Sequence, residues 1–321
     1  MKTWNIFYQN VSQNGFVIPG DKIILSVSGG MDSMCMLHLF WRLAKKMDIV
    51  FLAVNFNHNL RKESVKEAET VKNLSAEFGI DCLLEEIGVK EYSKKYSLSV
   101  ETAGRNLRYL TLERISKKYK CNKIATAHNA NDNAETVLMR LLRGSGNFAG
   151  IPQKRKINRN IVVIRPLLPV KRKFIEEYVR NHKLPFCTDK SNFSDIYTRN
   201  KIRLSLMPVF EKINPMAVEH IFALSCIQSR ENAYLEEVSA KFLKKCVKKQ
   251  KNQILLDLKT FLRYNKTIQF RILKNLLPQK KYNSHINLIM RKIVLSDTSV
   301  YRLSAGWIFK IKSDKACFIR N

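Results

Sequence analysis

Five short apolar runs, at residues 22–27, 49–55, 81–87, 123–127 and 161–165, are separated by helical patterns at 34–46, 65–78, 100–119 and 132–142. Runs of this length, rich in Ile, Leu and Val, read as strands buried on both faces. The patterns between them are long enough to cross back over a sheet. Such alternation folds compactly as a doubly wound, mostly parallel α/β sheet. In that architecture ligands sit at the carboxyl ends of the strands, so the residues that directly follow each run are the ones to read for chemistry.

The first run is followed by S-V-S-G-G-M-D-S, residues 26–33. This stretch ends a strand and opens a helix. The first turn of a helix carries unpaired N–H groups and the positive end of the macrodipole, so it attracts phosphate. Gly29 and Gly30 let the backbone approach an anion closely, Met31 continues the loop, and Ser28 and Ser33 add hydroxyl donors. Asp32 would repel phosphate directly. It makes sense as a ligand for Mg2+ bridging carboxylate and phosphate oxygens. Neither the G-x-x-x-x-G-K-[ST] nor the G-x-G-x-x-G spacing is present. The whole S-G-G-x-D-S after an apolar strand resembles the pyrophosphate-binding loop of the ATP pyrophosphatase superfamily. Its members cleave ATP to AMP and pyrophosphate while adenylating a substrate.

Further segments follow in a fixed order: N-F-N-H-N-L-R-K-E-S from Asn55, E-T-A-G-R-N-L-R-Y from Glu101, A-T-A-H-N-A-N-D-N-A-E-T from Ala125, R-G-S-G from Arg143, R-P-L-L from Arg165, D-K-S-N from Asp189 and T-R-N-K-I-R from Thr198. This set resembles the tRNA(Ile)-lysidine synthetases over about residues 20–215, and more loosely beyond, in a short form with one compact C-terminal domain. The resemblance implies ATP and Mg2+ as cofactors. It implies an isoleucine tRNA with a CAU anticodon and free L-lysine as substrates. ATP adenylates the C2 oxygen of the wobble cytidine, lysine attacks C2, and AMP leaves.

The residues fit that chemistry on physical grounds. His128, Asp132 and Glu135 are spaced by four and three, so they share one face at a helix start. A carboxylate there can hold Mg2+ together with Asp32, a role assigned to Glu135, or orient the lysine ammonium and take its proton. His128 can assist proton transfer or contact phosphate. Arg105 and Arg108 are three apart on a helix, and a guanidinium suits phosphate or a planar base. Arg108 is assigned to catalysis; Gly104, Arg105 and His58 are assigned to the nucleotide. Arg199 and Arg203 are assigned to the RNA or the adenylate. Arg143 to Gly146 reads equally well as a backbone approach point or as a helix C-cap. Two positions depart from the family pattern, with Asn55 and Asn129 standing where the family usually has His.

After Pro208 the pattern changes. A helical stretch at 216–248 precedes a small unit with a strand at 254–258, helices at 264–277 and 284–295, and strands at 301–304 and 307–311. The expected division is an adenylating domain at 1–212, a helical linker at 213–250 and a small α+β domain at 251–321. The 57 Lys and Arg against 27 Asp and Glu leave a net charge of +30, more than solubility needs. Such a field favours a polyanionic partner, nucleic acid first. Lys244 and Lys245, in the basic C-terminal part, are the RNA contacts named there.

The chain opens without a secretory pattern and contains no run of about 18 apolar residues. The lack of such a run points to no membrane partner, and the seven cysteines, isolated and odd in number, point to reduced thiols in the cytoplasm. A homodimer is compatible with this reading. The rival readings are a tRNA thiolase on the same fold, which would need persulfide cysteines or a cysteine-bound cluster, and a non-catalytic RNA-binding relative, which would be expected to have lost Asp32, His128 or Asp132.

Overall fold

The computed structural model describes residues 2–57, 63–144, 148–188, 198–277, 283–303 and 306–320. The chain divides into two compact units, Met1–Gln228 and Ser229–Asn321.

The first unit runs α1 (Lys2–Gln13), β1 (Lys22–Ser26), α2 (Met31–Ala44), β2 (Val50–Asn57), α3 (Glu63–Glu77), β3 (Cys82–Glu86), α4 (Val89–Lys95), α5 (Val100–Lys118), β4 (Lys123–Thr126), α6 (Ala130–Leu142), β5 (Lys154–Lys156), β6 (Val162–Ile164) and α7 (Arg172–Asn181). It continues through α8 (Thr198–Lys201), a π-helical turn at Ile202–Leu206, α9 (Met207–Ile213) and the start of α10 (Ala217–Cys246). The sheet order is β3-β2-β1-β4-β6-β5, parallel except for β5, which pairs antiparallel with β6. Successive strands step outward from β1 to β3 on one side, and the chain then returns to place β4 against the other side of β1. The reversal falls between the carboxyl ends of β1 and β4, which is where a doubly wound sheet opens a crevice.

Alternate residues of the buried strands face opposite layers. Ile23 and Leu25 of β1 join Phe7, Leu37, Phe40, Leu74 and Ile175 in one core. Ile24, between them, joins Leu52, Val54, Leu112, Ile115, Ile124 and Val163 in the other. Both faces are covered by buried apolar side chains, which explains why the strands carry continuous apolar runs.

Several elements escaped the sequence reading. α7 buries only Ile175, Tyr178 and Val179, a stripe too short to stand out by periodicity. α1 is largely polar but docks Phe7 and Val11 into the core. β5 reads Lys-Arg-Lys and exists because it pairs with β6.

The second unit contains the C-terminal part of α10, then β7 (Val247–Gln250), β8 (Gln253–Asp257), α11 (Leu258–Phe261), α12 (Lys266–Leu276), α13 (Asn283–Val294), β9 (Tyr301–Arg302), β10 (Trp307–Lys312) and β11 (Lys315–Arg320). Its antiparallel sheet has the order β7-β8-β11-β10-β9. The sequence pattern predicts helix through residue 248, but α10 stops at Cys246 and the next four residues form β7 against β8. Leu256, Phe261, Ile272, Ile289, Phe309 and Phe318 close a core of their own.

Candidate active site

The loop after β1 is closed by its own serines. Ser33 Oγ donates to the Gly30 carbonyl at 2.8 Å and accepts from the Ser28 N–H at 3.1 Å. Gly30 caps α2 without a side-chain hydrogen bond, so no side chain of the cap competes for the first-turn donors. Gly29 sits at φ +84°, and a Cβ there would lie 3.2 Å from the Glu67 carbonyl oxygen. Conformation and space both call for glycine. The Cys187 N–H donates to the Gly29 carbonyl at 2.9 Å, pinning the segment after α7 to the loop.

Asp32 stands in the first turn of α2. Burial, then the nearby charge of Asp132, push its carboxyl up to about 6, while Arg172 and a hydrogen bond from Asn129 pull the other way. That bond runs from Asn129 Nδ2 to Asp32 Oδ1 at 3.1 Å. Asn129 also caps α6: its Oδ1 accepts from the Asp132 N–H, and Asp132 Oδ2 accepts from the Asn129 N–H, both at 3.0 Å. One buried asparagine thus joins the loop after β1 to the helix after β4. Asn55 is also buried and donates to the Val27 carbonyl at 2.9 Å, supporting the loop from β2.

Asp132 and Glu135 meet two arginines. Arg199 donates from Nε to Glu135 Oε2 at 2.6 Å and from Nη2 to Asp132 Oδ1 at 2.8 Å. Arg203 donates from Nε to Glu135 Oε1 at 2.6 Å and reaches Asp132 Oδ1 at 3.3 Å. A pair four apart therefore clamps a pair three apart. The π-helical turn carries Arg203 on the same segment as Arg199. His128 lies just before the cap, with Nδ1 at 3.1 Å from Thr126 Oγ1. Burial is the main cause that lowers it to about 4, so it is neutral at pH 7.

These groups surround a cavity of about 1090 Å³ whose wall includes Ser28, Gly30, Met31, Asp32, Ser33, Arg108, His128, Asp132, Arg199 and Arg203. Arg172, Arg180 and Lys183 add cationic groups to the same wall. Its size exceeds that of an ordinary small-ligand pocket.

A PP-loop domain model matches residues 4–210. The chain is 43% identical to the tRNA(Ile)-lysidine synthase of Thermosipho africanus over 210 residues, covering 65% of this chain and 48% of that one. It is 39% identical to the Clostridioides difficile enzyme of the same name, covering 83% and 58%. With the Clostridium acetobutylicum enzyme of that name it shares 32% over 330 residues, covering 98% of this chain and 71% of the relative. The chain belongs to the tRNA(Ile)-lysidine synthase family. It spans about half to three-fifths of the length of the first two relatives. Among solved structures, the U34-tRNA thiolase NcsA from Methanococcus maripaludis superposes with a TM-score of 0.60 at 19% identity, over 70% of this chain and 77% of that one. That likeness is one of fold.

Not every residue assigned from sequence reaches the cavity of this lysidine synthase family member. Gly29, Gly104, Arg105 and Glu135 are not part of its wall among the described residues. Gly104 is buried and Arg105 exposed, one turn before Arg108 on α5. The sequence pattern pairs Glu135 with Asp32 at a metal, yet both Glu135 oxygens are taken by guanidinium groups. The carboxylate that shares Asp32's field is Asp132. His58 lies outside the described residues, as do residues 189–192. Arg143 is the C-cap of α6 and Gly144 follows at φ +59°, a helix end; residues 145 and 146 lie outside the described residues. Lys244 and Lys245 belong to the second unit, where they rim a recess of about 590 Å³ floored by Val238 and Phe242. Cys35 is fully buried and its thiol is pushed well above the usual range by desolvation.

Arg172, Asn129 and Asn55 were not assigned from sequence as site residues. Asn129 and Asn55 were visible only as departures from a family pattern, and Arg172 was one of many cations.

Proposed function

We propose that the chain is an ATP-dependent carbon–nitrogen ligase that joins free L-lysine to C2 of the wobble cytidine in an isoleucine tRNA with a CAU anticodon. The observation that carries this is the junction of Asp32, Asn129 and Asp132 at the β1/β4 crevice, in a chain at least 32% identical to the three lysidine synthases above.

The loop of Ser28, Gly30 and Ser33 and the start of α2 receive the β- and γ-phosphates of ATP. Asp32 fits a divalent cation, since burial and Asp132 disfavour its bare negative charge. Asp32, phosphate oxygens and water would hold Mg2+, which supplies charge neutralisation at the phosphates. The cytidine C2 oxygen attacks the α-phosphorus and pyrophosphate leaves. Lysine Nε then forms the bond to C2, the C2–O bond breaks, and AMP departs with the oxygen. Asp132, in the cavity wall, supplies the carboxylate that orients the lysine ammonium; the ammonium first loses a proton to free the amine lone pair, and Asp132 receives the further proton that the nitrogen sheds as the bond forms, while Glu135 fixes Arg199 and Arg203. Nitrogen becomes acidic on attack, so a weak base suffices. His128, kept neutral by burial, serves as a hydrogen-bonding group.

We assign adenylation to residues 1–212, a link to 213–250 that is helical as far as Cys246, and RNA contacts, with Lys244 and Lys245, to the basic C-terminal part. A cytoplasmic setting agrees with this reading, and among the described residues no helix is long and apolar enough to cross a membrane.

The test combines purified protein, Mg-ATP, labelled lysine and the tRNA transcript, followed by mass spectrometry of the digested nucleosides. Lysine at the wobble cytidine with AMP released and no sulfur donor supports the proposal. AMP without lysine transfer would refute lysine as second substrate. No AMP, with tRNA bound, would favour a non-catalytic RNA-binding protein.

A further inference from the structure

A second cluster of arginines gathers around Tyr109. The β5–β6 register sets Arg155 opposite Val163, and Arg165 follows two residues later. Residues two apart in an extended chain share a face, and Val163 packs against Leu112 and Ile115 of α5. Arg155 and Arg165 therefore both rise toward α5. Arg155 lies over the Tyr109 ring at 4.1 Å, and Arg105 lies 5.8 Å from its centre. Arg165 donates to the Tyr109 hydroxyl at 3.3 Å and to the Pro152 carbonyl at 2.6 Å.

Arg165 is 1% exposed. Its Nε, like that of Arg155, is buried and has no hydrogen-bond partner. Among the described residues no carboxylate forms an ion pair with Arg105, Arg155 or Arg165, in contrast to Arg199 and Arg203. Arg105 and Arg155 both act on Arg165 by repulsion. A guanidinium cannot shed its proton to escape this, and a buried charge without a counter-ion is costly. An anion would supply the counter-charge.

We propose that Arg105 and Arg155, backed by the charge of buried Arg165, form a phosphodiester site that seats the RNA backbone beside the target nucleotide. This rests on the RNA-modifying reading above. Tyr109, which the three arginines surround, lines the cavity together with Arg108. β6 and β5 are two and three strands from β1, so the site stands about 10–15 Å to the side of the phosphate loop. A phosphate held at α2 does not also fill this cluster. A nucleic-acid strand supplies phosphates at regular intervals and reaches it. The same chemistry would accept a phosphate of ATP, and the experiment separates the two sources.

The probe is a fluorescent CAU anticodon stem-loop RNA, titrated with the full chain between 50 and 300 mM KCl, beside a parallel titration with Mg-ATP. Arg155→Gln and Arg105→Gln should each weaken RNA binding about 5–10-fold at low salt and flatten the log–log salt slope by about 0.7–1. Arg155→Gln should leave ATP affinity unchanged. Arg105 is exposed, so its replacement tests the site even if Arg155→Gln fails to fold. Unchanged RNA affinity and slope in folded variants would overturn the proposal. A fall in ATP affinity with RNA binding intact would assign the phosphate to the nucleotide and overturn it as well. Failure of lysine transfer by the wild-type chain would refute the ligase and leave this binding result standing.

Discussion

Asn129 reaches from the N-cap of α6 to Oδ1 of Asp32, 3.1 Å away. Two helix starts from different strands are coupled through one amide. The capping contact sets α6, and the donated hydrogen bond sets the Asp32 carboxylate in the cavity wall.

The two roles separate by substitution. Asn129→Ala should cost about 1 kcal/mol or more of stability through the lost cap and should depress AMP formation. Asn129→Ser retains a capping oxygen and cannot span to Asp32. Urea unfolding should recover in the Ser variant while AMP formation does not; recovery of both would remove the tie to Asp32 from the account.

Asp32 is held in its ionised form against burial. Its folded value of about 6 stands above the ordinary 3.8 of an aspartate, which disfavours the charged fold at pH 7 by about 3 kcal/mol. The sign follows: this group adds stability as pH falls through 6 toward 3.8. Asp32→Asn should therefore raise the metal-free melting temperature, abolish AMP formation and leave RNA binding almost intact. A variant that loses RNA binding together with AMP formation would show the role to be misassigned.

His128 works in the opposite direction over the same range. Its lowered value of about 4 against the ordinary 6.5 means that the unfolded chain takes up a proton first on acidification. The stability it contributes is present above pH 6.5 and is lost as pH falls toward 4. Between pH 7 and pH 5 the loss is about 2 kcal/mol. His128→Gln should remove that part of the pH dependence in urea titrations. An unchanged acid slope would mean that His128 is solvated in the folded chain.

The arginine clamp makes a prediction by rescue. Glu135 has a side chain 2% exposed, and its partners Arg199 and Arg203 are 35% and 23% exposed. Replacing both arginines by Met should cost about 2–4 kcal/mol, discounted for the partial exposure of the arginines. Adding Glu135→Gln should restore part of it, because the cost is a stranded charge. No restoration in denaturant unfolding would assign the loss to packing.

Much of this molecule is legible in its sequence. Runs such as Lys-Ile-Ile-Leu carry their burial in their composition, and the serines, glycines and aspartate of residues 26–33 carry a phosphate loop in their order. Both signals are local, because strand burial and a helix start depend on neighbours a few residues away. The α6 cap and the spacing of Asp132 and Glu135 are readable for the same reason.

Tertiary structure decided which charges meet. Arg199 and Arg203 read as free cations suited to a nucleotide or RNA, yet they neutralise Glu135 from a segment 64 and 68 residues away. Asn129 and Asn55 read as lost histidines, yet each donates a hydrogen bond into the loop after β1. Arg155 and Arg165 share a face only because a three-residue polar strand pairs antiparallel at the sheet edge. A one-dimensional pattern reports what a residue prefers to be near. Which partner satisfies a buried charge depends on how distant segments are brought together, and in this chain the order β3-β2-β1-β4-β6-β5 settled that.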